Sequence, residues 1–378
     1  MIICCGEVLI DMVPTAFPGK ASGYLPLPGG SPYNTAIAIG RLGTPVMFLG
    51  KFSKDFFGEM LMKRLLDNNV KEDLVIRSEK NSTLAFVKLE KDQNPQYVFY
   101  TEGAADRSLS VEDLPKKIPA DTHCICFGSI AMTMEPLASA IETLILRENT
   151  LQVQGKISPV ISYDPNIRPF MIKDKKAFIE RMQKWIAAST ITKLSAEDFS
   201  YIFPSLEPEK ALHKILAMGP RMAIVTLGPK GAMALLRRND GSLTKVVAPI
   251  VDLPVKDTIG AGDAFHGAFL SWLERNEKMS RLSLASLTET ELYDALYFAN
   301  KAASIICTRQ GAEPPTLKEV ENLKLKKPEP KPATPKKAPS KSSTAKPKTV
   351  PSHGETEKGT GGRGSHGATE PQMKEKKK

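Results

Sequence analysis

Short apolar runs alternate with amphipathic stretches along most of the chain. The apolar runs have the length of buried strands, and the stretches between them repeat apolar residues at the spacing of a helix face. Predicted strands cover 1–10, 46–49, 124–127, 160–163, 191–194 and 223–227, and predicted helices cover 34–42, 57–66, 137–146, 177–187 and 209–218. Since strands that alternate with helices form βαβ units, the pattern predicts an α/β, doubly wound fold with a mainly parallel sheet flanked by helices.

One region departs from this alternation. Residues 83–89 and 96–101 are rich in β-forming residues and flank a polar turn, which predicts a hairpin. Together with 23–27 the hairpin could form a small sheet apart from the main one, a candidate β lid made of about 12–28 and 81–103. A plain surface hairpin explains the same pattern equally well.

The alternation ends near Leu325. From Lys326 onward the sequence contains no Phe, Tyr, Trp, Leu or Ile, and Lys, Pro, Ser, Thr and Gly dominate. Such a segment buries too little apolar surface to offset the entropy lost on ordering. We therefore predict one folded domain over 1–325 and a disordered, basic, Lys/Pro-rich tail over 326–378.

The net charge of +10 is concentrated in this tail. Residues 326–378 hold 14 Lys and Arg against five Glu, which leaves 38 basic and 37 acidic residues in the rest of the chain. The folded body is thus nearly neutral, and its charge gives no reason to expect nucleic-acid binding. The tail could bind polyanions weakly by releasing counterions, or it could be a solvated appendage without a defined partner.

Composition also bears on the compartment. No apolar run approaches the roughly 20 residues of a membrane span, and the first residues lack the pattern of a secretory signal. The five cysteines are an odd set for a disulfide framework, and most lie inside apolar runs, so we predict reduced, buried thiols. These features predict a cytoplasmic protein without membrane contact.

Polar residues follow several predicted strands at the point where each strand ends. Asp11 follows the first strand, 164–168 follows another, and 226–231 follows a third. In open parallel sheets ligands bind beyond the carboxyl ends of the strands, so these residues predict a binding cleft. Each could instead cap a helix or close a turn, which taken singly is the stronger explanation for Ser31, Thr226 and Asp198.

The clearest chemical signal is a Gly/Ala-rich turn that runs into an amphipathic helix at 257–270. Gly260, Ala261 and Gly262 leave backbone amides unobstructed at a helix N-terminus, which favours an anion such as a phosphate. Asp263 would repel that anion but is well placed to accept a proton from a hydroxyl that attacks phosphorus. An acidic residue that merely interacts with its own helix dipole is the alternative.

Two segments of the chain resemble the signatures of the ribokinase-like (PfkB) carbohydrate kinases. The sequence Asp-Thr-Ile-Gly-Ala-Gly-Asp at 257–263, with Gly-Ala-Phe-Leu at 267–270, is similar to the second signature, and Gly-Gly-Ser-Pro-Tyr-Asn at 29–34 is similar to the first. The resemblance covers about residues 1–318. Phe-Gly-Ser at 127–129, Asp-Pro-Asn-Ile-Arg at 164–168 and Lys-Leu-Ser-Ala-Glu-Asp at 193–198 are closest to bacterial fructokinases.

The resemblance implies a role for each matching residue. It implies transfer of the ATP γ-phosphate to a hexose hydroxyl, giving fructose 6-phosphate, with Asp263 as the base. The amides of Gly260, Ala261 and Gly262 would form the anion hole, and Arg168 would lie near the substrate or the transferred phosphate. By the same resemblance, the sugar would be held by Asp11, Gly30 and Asn34, and the nucleotide would lie along Lys193, Thr226, Gly228, Gly231 and Asn300.

The resemblance also implies metal ions. Many relatives use Asn-x-x-Glu to order water around Mg²⁺, whereas this chain has Ser-Ala-Glu-Asp at 195–198. Asp198 would then keep the acidic role with a shorter reach, and Mg²⁺ would bind mainly through the substrate phosphates. A monovalent cation, expected to be K⁺, would be held by Asp257 and the carbonyl of Ile259.

Several functions are compatible with this pattern. A fructokinase-like enzyme is the first hypothesis, and a kinase for ribose or for a sugar acid such as 2-keto-3-deoxygluconate is the second, because a fold and its motifs fix the reaction better than the substrate. A non-catalytic sugar or nucleotide sensor is a third, although a sensor would have no need of Asp263. The lid hairpin could also pair with a second copy to form a homodimer.

Overall fold

The fold is known from a computed structural model that describes residues 1–15, 23–89, 95–153 and 158–323. The predicted tail at 326–378, its boundary at Leu325 and the centre of the predicted hairpin turn lie outside the described residues. Within the described residues, no helix combines the length and apolar composition that crossing a membrane requires.

The main sheet contains ten strands among the described residues. They are β1 (Ile2–Cys5), β4 (Val46–Ser53), β5 (Val70–Lys71), β6 (Val75–Ser78), β9 (Cys124–Gly128), β10 (Val160–Asp164), β11 (Ile191–Ser195), β12 (Met222–Thr226), β13 (Ala232–Arg237) and β14 (Leu243–Ala248). The parallel part runs in the order β12-β11-β10-β9-β1-β4-β5, and β6 pairs with the end of β4. β13 and β14 extend the sheet beyond β12 as an antiparallel meander.

Helices cover both faces of this sheet. Strand β1 shows why both faces need a cover, because Ile2 and Cys4 point into one apolar layer while Ile3 and Cys5 point into the other. The helices are α1 (Ser31–Arg41), α2 (Phe56–Asp67), α3 (Leu137–Val153), α4 (Lys175–Ala188), α5 (Ala196–Ile202), α6 (Pro208–Ala217), α7 (Ala261–Arg275), α8 (Arg281–Ala285), α9 (Glu289–Cys307) and α10 (Leu317–Asn322). The first apolar layer contains α1, α2, α7 and α9, and the second contains α3, α4 and α6.

These layers confirm the predicted fold class, an α/β fold with a mainly parallel sheet flanked by helices. Apart from the strand predicted over 1–10, the predicted strands and helices of this sheet and its two faces appear with shifted ends, as expected where fraying and caps decide the last residues. All five cysteines are free, and all but Cys307 are buried.

A second, small sheet lies in the order β3-β2-β7-β8. Its strands are β2 (Leu9–Thr15), β3 (Gly23–Gly29), β7 (Thr83–Leu89) and β8 (Pro95–Tyr100). On this sheet Tyr24, Leu25, Val98 and Tyr100 are all exposed. Antiparallel pairs can leave one face of a sheet in water, but a run of exposed aromatic and aliphatic side chains is unusual.

The run predicted as one strand over 1–10 is two strands in different sheets. β1 pairs with β4 and β9 in the main sheet, whereas β2 pairs with β3 and β7 in the small sheet. The chain changes sheet at Gly6, where a Cβ atom would lie only 2.4 Å from Cγ of Pro32. Apolar periodicity does not reveal this break, because Leu9 and Ile10 at the start of β2 are as buried as the residues of β1.

Candidate active site

The predicted site residues gather at the carboxyl ends of the parallel strands. Asp164 ends β10, Ser195 ends β11 and Thr226 ends β12, and these strands are neighbours. The N-terminal ends of α1 and α7 lie at the same edge, since Ser31 of α1 contacts Asp263 of α7. The cleft therefore forms where open parallel sheets bind ligands.

The turn before α7 exposes backbone amides to this cleft. Gly260 has φ of 75°, a left-handed conformation that glycine adopts readily, and it caps the helix without a side-chain hydrogen bond. Among the described residues, the amides of Gly262 and Asp263 donate to no backbone carbonyl. The amide of Ala261, in contrast, donates to the Thr258 carbonyl at 3.2 Å. A Cβ atom on Gly262 would meet only Lys193 Nζ, at 3.4 Å. The predicted cradle is thus open at Gly262, and the Ala261 amide belongs to the turn itself.

Asp263 lies in the first turn of α7 with only 8% of its surface exposed. Its Oδ1 accepts a hydrogen bond from Ser31 Oγ at 2.6 Å, and its Oδ2 accepts one from Asn34 Nδ2 at 3.1 Å. Burial raises the pKa of Asp263 above its usual range, although both hydrogen bonds and the charge of Lys193 oppose that shift. The side chain is held in one orientation and binds a proton more readily than an exposed aspartate.

The sugar-binding candidates lie next to this carboxylate. The buried Asn34 Oδ1 has no hydrogen-bond partner among the described residues, so it can accept from a bound hydroxyl. Asp11 lies on β2, where a Cβ atom on Gly29 would stand 2.2 Å from Asp11 Oδ2, so glycine makes room for the carboxylate. Burial raises the pKa of Asp11 to about 6, with Asp263 acting in the same direction. Gly30, the cap of α1, has a positive φ of 111°.

Arg168 faces the same part of the cleft. Its charge lowers the pKa of Asp11, which places the two side chains within electrostatic reach of each other. Its guanidinium donates to Asn166 Oδ1 at 2.8 Å, so the side chain is held by its own loop. This position suits a contact with an anionic or hydroxyl-rich ligand.

Lys193 lies beside the helix start rather than at the outer edge of the cleft. Its Nζ donates to Asp164 Oδ2 at 2.6 Å, and both side chains are buried. Burial opposes the charge on Lys193, but Asp164, Asp198 and Asp263 outweigh it and raise the lysine pKa. The family resemblance implied that Lys193 lies along the nucleotide, and no partner was predicted for Asp164. β10 and β11 are parallel neighbours, and Asp164 and Lys193 follow directly after the paired residues Tyr163 and Thr192. Pairing of these two predicted strands is the signal that could have revealed the ion pair.

The other nucleotide candidates surround the ends of β12 and β14. Gly228 has φ of 53° with open space where a Cβ atom would be, and Gly231 has φ of 84° with Ala248 O only 2.1 Å from such an atom. Asn300 Nδ2 donates to the carbonyls of Ala248 and Pro249, so it ties α9 to the end of β14. Thr226 Oγ1 donates to Leu194 O at a long 3.4 Å.

The two predicted metal-binding carboxylates already bind protein groups. Asp198 Oδ1 accepts from Ile167 N at 2.5 Å, and Asp198 Oδ2 accepts from both the amide and the hydroxyl of Ser195 at 2.8 Å. Asp257 accepts from Ile259 N at 3.0 Å and from Gly311 N at 2.9 Å. No group of three or more His, Cys, Asp or Glu side chains in the described part of the chain is arranged to hold a metal. The protein therefore offers few ligands of its own to a cation.

His266, one turn beyond Asp263, is buried and bonded within the core. Its Nε2 lies 2.8 Å from Ser162 Oγ, and its Nδ1 lies 3.7 Å from Cys126 Sγ. A histidine with these partners is satisfied by the core.

Comparison with known proteins identifies the family that this geometry represents. Residues 1–319 match the pfkB family carbohydrate kinases. The chain belongs to this family. It is 36% identical over 292 residues to a fructokinase of Rhizobium leguminosarum bv. trifolii, which covers 77% of this chain and 85% of that protein. It is 30% identical over 332 residues to fructokinase-1 of Zea mays, which covers 86% of this chain and 97% of the maize protein.

The fold of a solved relative agrees with this assignment. The crystal structure of fructokinase with bound ATP from Xylella fastidiosa is similar with a TM-score of 0.74 and 28% identity, over 85% of this chain and 96% of that one. The predicted family, the predicted likeness to bacterial fructokinases and the predicted enzyme class, an ATP-dependent carbohydrate kinase, are confirmed.

Proposed function

We propose that this pfkB-family kinase transfers the γ-phosphate of ATP to a hydroxyl of D-fructose and releases fructose 6-phosphate and ADP. The observation that carries the proposal is the buried, oriented Asp263, which lies beside the open amides at the start of α7. Fructose is the proposed acceptor because the relatives described above are named fructokinases.

The reaction needs a base, charge neutralisation and exclusion of water. Asp263 accepts the proton of the sugar hydroxyl as its oxygen attacks the γ-phosphorus and the bond to the bridging oxygen breaks. The amides of Gly260, Gly262 and Asp263, together with the charge of Lys193, stabilise the negative charge on the transferred group. Asp11, Gly30 and Asn34 orient the sugar, and Arg168 contacts the substrate or the transferred phosphate.

The donor set fits a divalent cation that binds mainly through phosphate oxygens. Both oxygens of Asp198 already accept hydrogen bonds from protein donors, and we propose that this side chain contacts Mg²⁺ through water. When bound, Mg²⁺ neutralises charge on the triphosphate. K⁺ is proposed at Asp257 and the Ile259 carbonyl, where it would support the turn that leads into α7.

The small sheet is proposed to act as the lid of this cleft. Tyr97 and Phe99 of β8 stack on Phe170, which follows Arg168, with ring centroids 6.0 and 5.7 Å away. The exposed apolar side chains of the sheet would be covered if two copies paired through their lids, and a homodimer is proposed on that basis. The five free thiols support a cytoplasmic location, and weak polyanion binding by the tail remains part of the proposal.

A coupled assay of ADP release tests the proposed substrate. With ATP and Mg²⁺ present, fructose is expected to give the highest kcat/KM in a panel that also holds ribose, glucose and 2-keto-3-deoxygluconate. A higher value with ribose or with the sugar acid would transfer the proposal to that substrate. Nucleotide binding without ADP release on any sugar would favour the sensor.

A further inference from the structure

Glu7 is a buried carboxylate that the phosphoryl-transfer chemistry does not use. It lies between β1 and β2 with 1% of its surface exposed. Its Oε1 accepts from Ser31 N at 3.1 Å, and its Oε2 accepts from Ala131 N at 3.1 Å. The Ser129 side chain also lowers the pKa of this carboxylate. One side chain thus joins the start of α1 to the turn that follows β9.

The start of α1 and the turn after β9 belong to connections that run to opposite sides of β1. In the main sheet β1 lies between β4 and β9, and the chain passes from β1 through α1 to β4 on one side, while β9 continues to β10 on the other. Strand order therefore reverses beside β1, and a crevice opens where the two connections part. The carboxylate of Glu7 bridges this crevice.

The β9 side of the bridge is rigid. Ser129 holds a left-handed φ of 60°, which a non-glycine residue keeps only where its surroundings enforce it. A Cβ atom on the preceding Gly128 would lie 1.7 Å from Asp164 O, so this turn is packed directly against the end of β10. Ala131, two residues further on, is a fixed anchor for Glu7.

The α1 side of the bridge leads to the base. The cap of α1, Gly30, has no side chain to bind the first amides of the helix, and Glu7 binds the amide of Ser31 instead. The hydroxyl of this same Ser31 donates to Asp263 Oδ1 at 2.6 Å. Two hydrogen bonds therefore connect Glu7 to the carboxylate of Asp263.

Burying this carboxylate is costly, since burial raises its pKa to about 7 in spite of its hydrogen bonds. An apolar side chain would fill the space at a lower cost. We infer that Glu7 is a positioning residue for the base: it fixes Ser31 at the start of α1, and Ser31 orients Asp263. The inference rests on the proposed function in one respect, namely that Asp263 is the base.

A double-mutant cycle tests the inference. Glu7→Gln in the full chain is expected to lower kcat about 10-fold to 100-fold, with little change in the KM for ATP, because a misplaced base slows the chemical step. In a Ser31→Ala background the same substitution is expected to change kcat less than about two-fold, since Glu7 then has no hydroxyl to position. An equal loss of kcat in both backgrounds, or no loss in either, overturns the inference.

Asp106→Asn is the matched control. Asp106 is equally buried, its Oδ1 accepts from Thr83 Oγ1 at 2.5 Å, and among the described residues it has no hydrogen bond to Ser31. Its effect on kcat should multiply with that of Ser31→Ala. If Glu7→Gln does not fold, Ser129→Gly removes a side chain that lowers the pKa of Glu7 and relieves the positive φ, and it should show the same dependence on Ser31.

Hydrogen exchange gives a reading that needs no substrate. Peptides that cover the start of α1 should exchange faster in Glu7→Gln and remain protected in Asp106→Asn. Unchanged protection in Glu7→Gln overturns the inference even if no sugar is turned over. Absence of turnover in the wild-type chain together with faster exchange in Glu7→Gln would count against the proposed function. The same result would still support the inference that Glu7 fixes Ser31 at the start of α1.

Discussion

At the start of α7, burial and hydrogen bonding act on the pKa of Asp263 in opposite directions. Removal from water raises the pKa, whereas the donors on Ser31 and Asn34 and the charge of Lys193 lower it, and Asp164 raises it. The net effect is a pKa above the usual range of an aspartate. A base of this kind is a stronger proton acceptor, but it is protonated earlier as the pH falls.

Ser31→Ala should therefore move the acidic limb of the kcat/KM profile to higher pH. Only the ionised carboxylate accepts a proton, so activity disappears as the pH falls through the pKa of Asp263. Loss of a hydrogen bond that lowers this pKa raises the pH at which activity is lost. Asp11, with a pKa of about 6, titrates in both proteins and does not cause a difference.

The profile is measured from about pH 5 to about pH 9, where kcat/KM reports the free enzyme. Ser242→Ala serves as the control, because it removes a hydroxyl that donates at 2.7 Å to the exposed Asp240. An acidic limb that stays in place in Ser31→Ala would refute the assigned hydrogen bond.

Gly262→Ala tests the open side of the cradle. The new methyl group would meet only Lys193 Nζ, at 3.4 Å, and alanine favours the helix more than glycine does. The melting temperature should therefore stay the same or rise, while kcat falls about 10-fold or more because the methyl group projects into the space proposed for phosphate. Thermal unfolding and steady-state kinetics measure the two effects. Full activity would show that phosphate does not approach Gly262.

At the scale of elements, three stacked rings connect the small sheet to the rim of the cleft. Phe170 is 55% exposed, and its ring stacks with the rings of Tyr97 and Phe99 of β8. Burial raises the pKa of Tyr97, the charge of Asp11 raises it further, and the charge of Arg168 lowers it. The rings therefore lie close to the proposed sugar site.

Phe170→Ala is expected to raise the KM for the sugar about two-fold to 10-fold, because each aromatic pair is worth about 0.5–1.5 kcal/mol. The KM for ATP should change much less, since the nucleotide candidates lie at the ends of β12 and β14. Leu282→Ala, at a side chain that is 77% exposed on α8, is the control. Equal sugar KM values in wild type and Phe170→Ala would argue against a lid at this place.

The sequence predicts part of the main sheet but not the point at which the chain changes sheet. Continuous apolar runs and helix-face spacing were sufficient to predict six strands of the main sheet, because both faces of strands such as β1 are covered by helices. The strands β5, β6, β13 and β14 were not predicted. Periodicity missed the change of sheet at Gly6, since it measures burial and not the partner strand. The change of sheet places Glu7 at the crevice, so its hydrogen bonds to Ser31 and Ala131 were not predicted either.

Side-chain pairing was harder to predict than position. The motifs brought Asp263, Asn34 and Asp11 to one cleft in the prediction, and these side chains do lie together. The Lys193–Asp164 ion pair and the Asn300 contacts to β14 were not foreseen, because they depend on which strands and helices become neighbours in three dimensions. Ser31 was given a cap-like explanation, and only the geometry connects its hydroxyl to Asp263.

At the scale of the whole molecule, charge separates the body from the tail. The tail at 326–378 holds nine of the ten net positive charges of the chain. The site residues described above all lie between Glu7 and Asn300, so none belongs to the tail.

Deletion of 326–378 should leave kcat and both KM values within about two-fold of the full chain, since no residue proposed for catalysis is removed. Binding to a heparin column should weaken, because the segment removed carries nearly all of the excess positive charge. A large loss of turnover on deletion would show that the tail contributes to the active enzyme.

The central claim is that Asp263 removes the proton during phosphoryl transfer, and Asp263→Asn tests it most directly. The amide keeps the size of the side chain but cannot take up the proton, so kcat should fall about 10²-fold to 10⁴-fold. The dissociation constant for ATP, measured by calorimetry, should remain nearly unchanged. The same substitution at the exposed Asp240 should leave both values as in the wild type. A kcat for Asp263→Asn close to that of the wild-type chain would contradict the account.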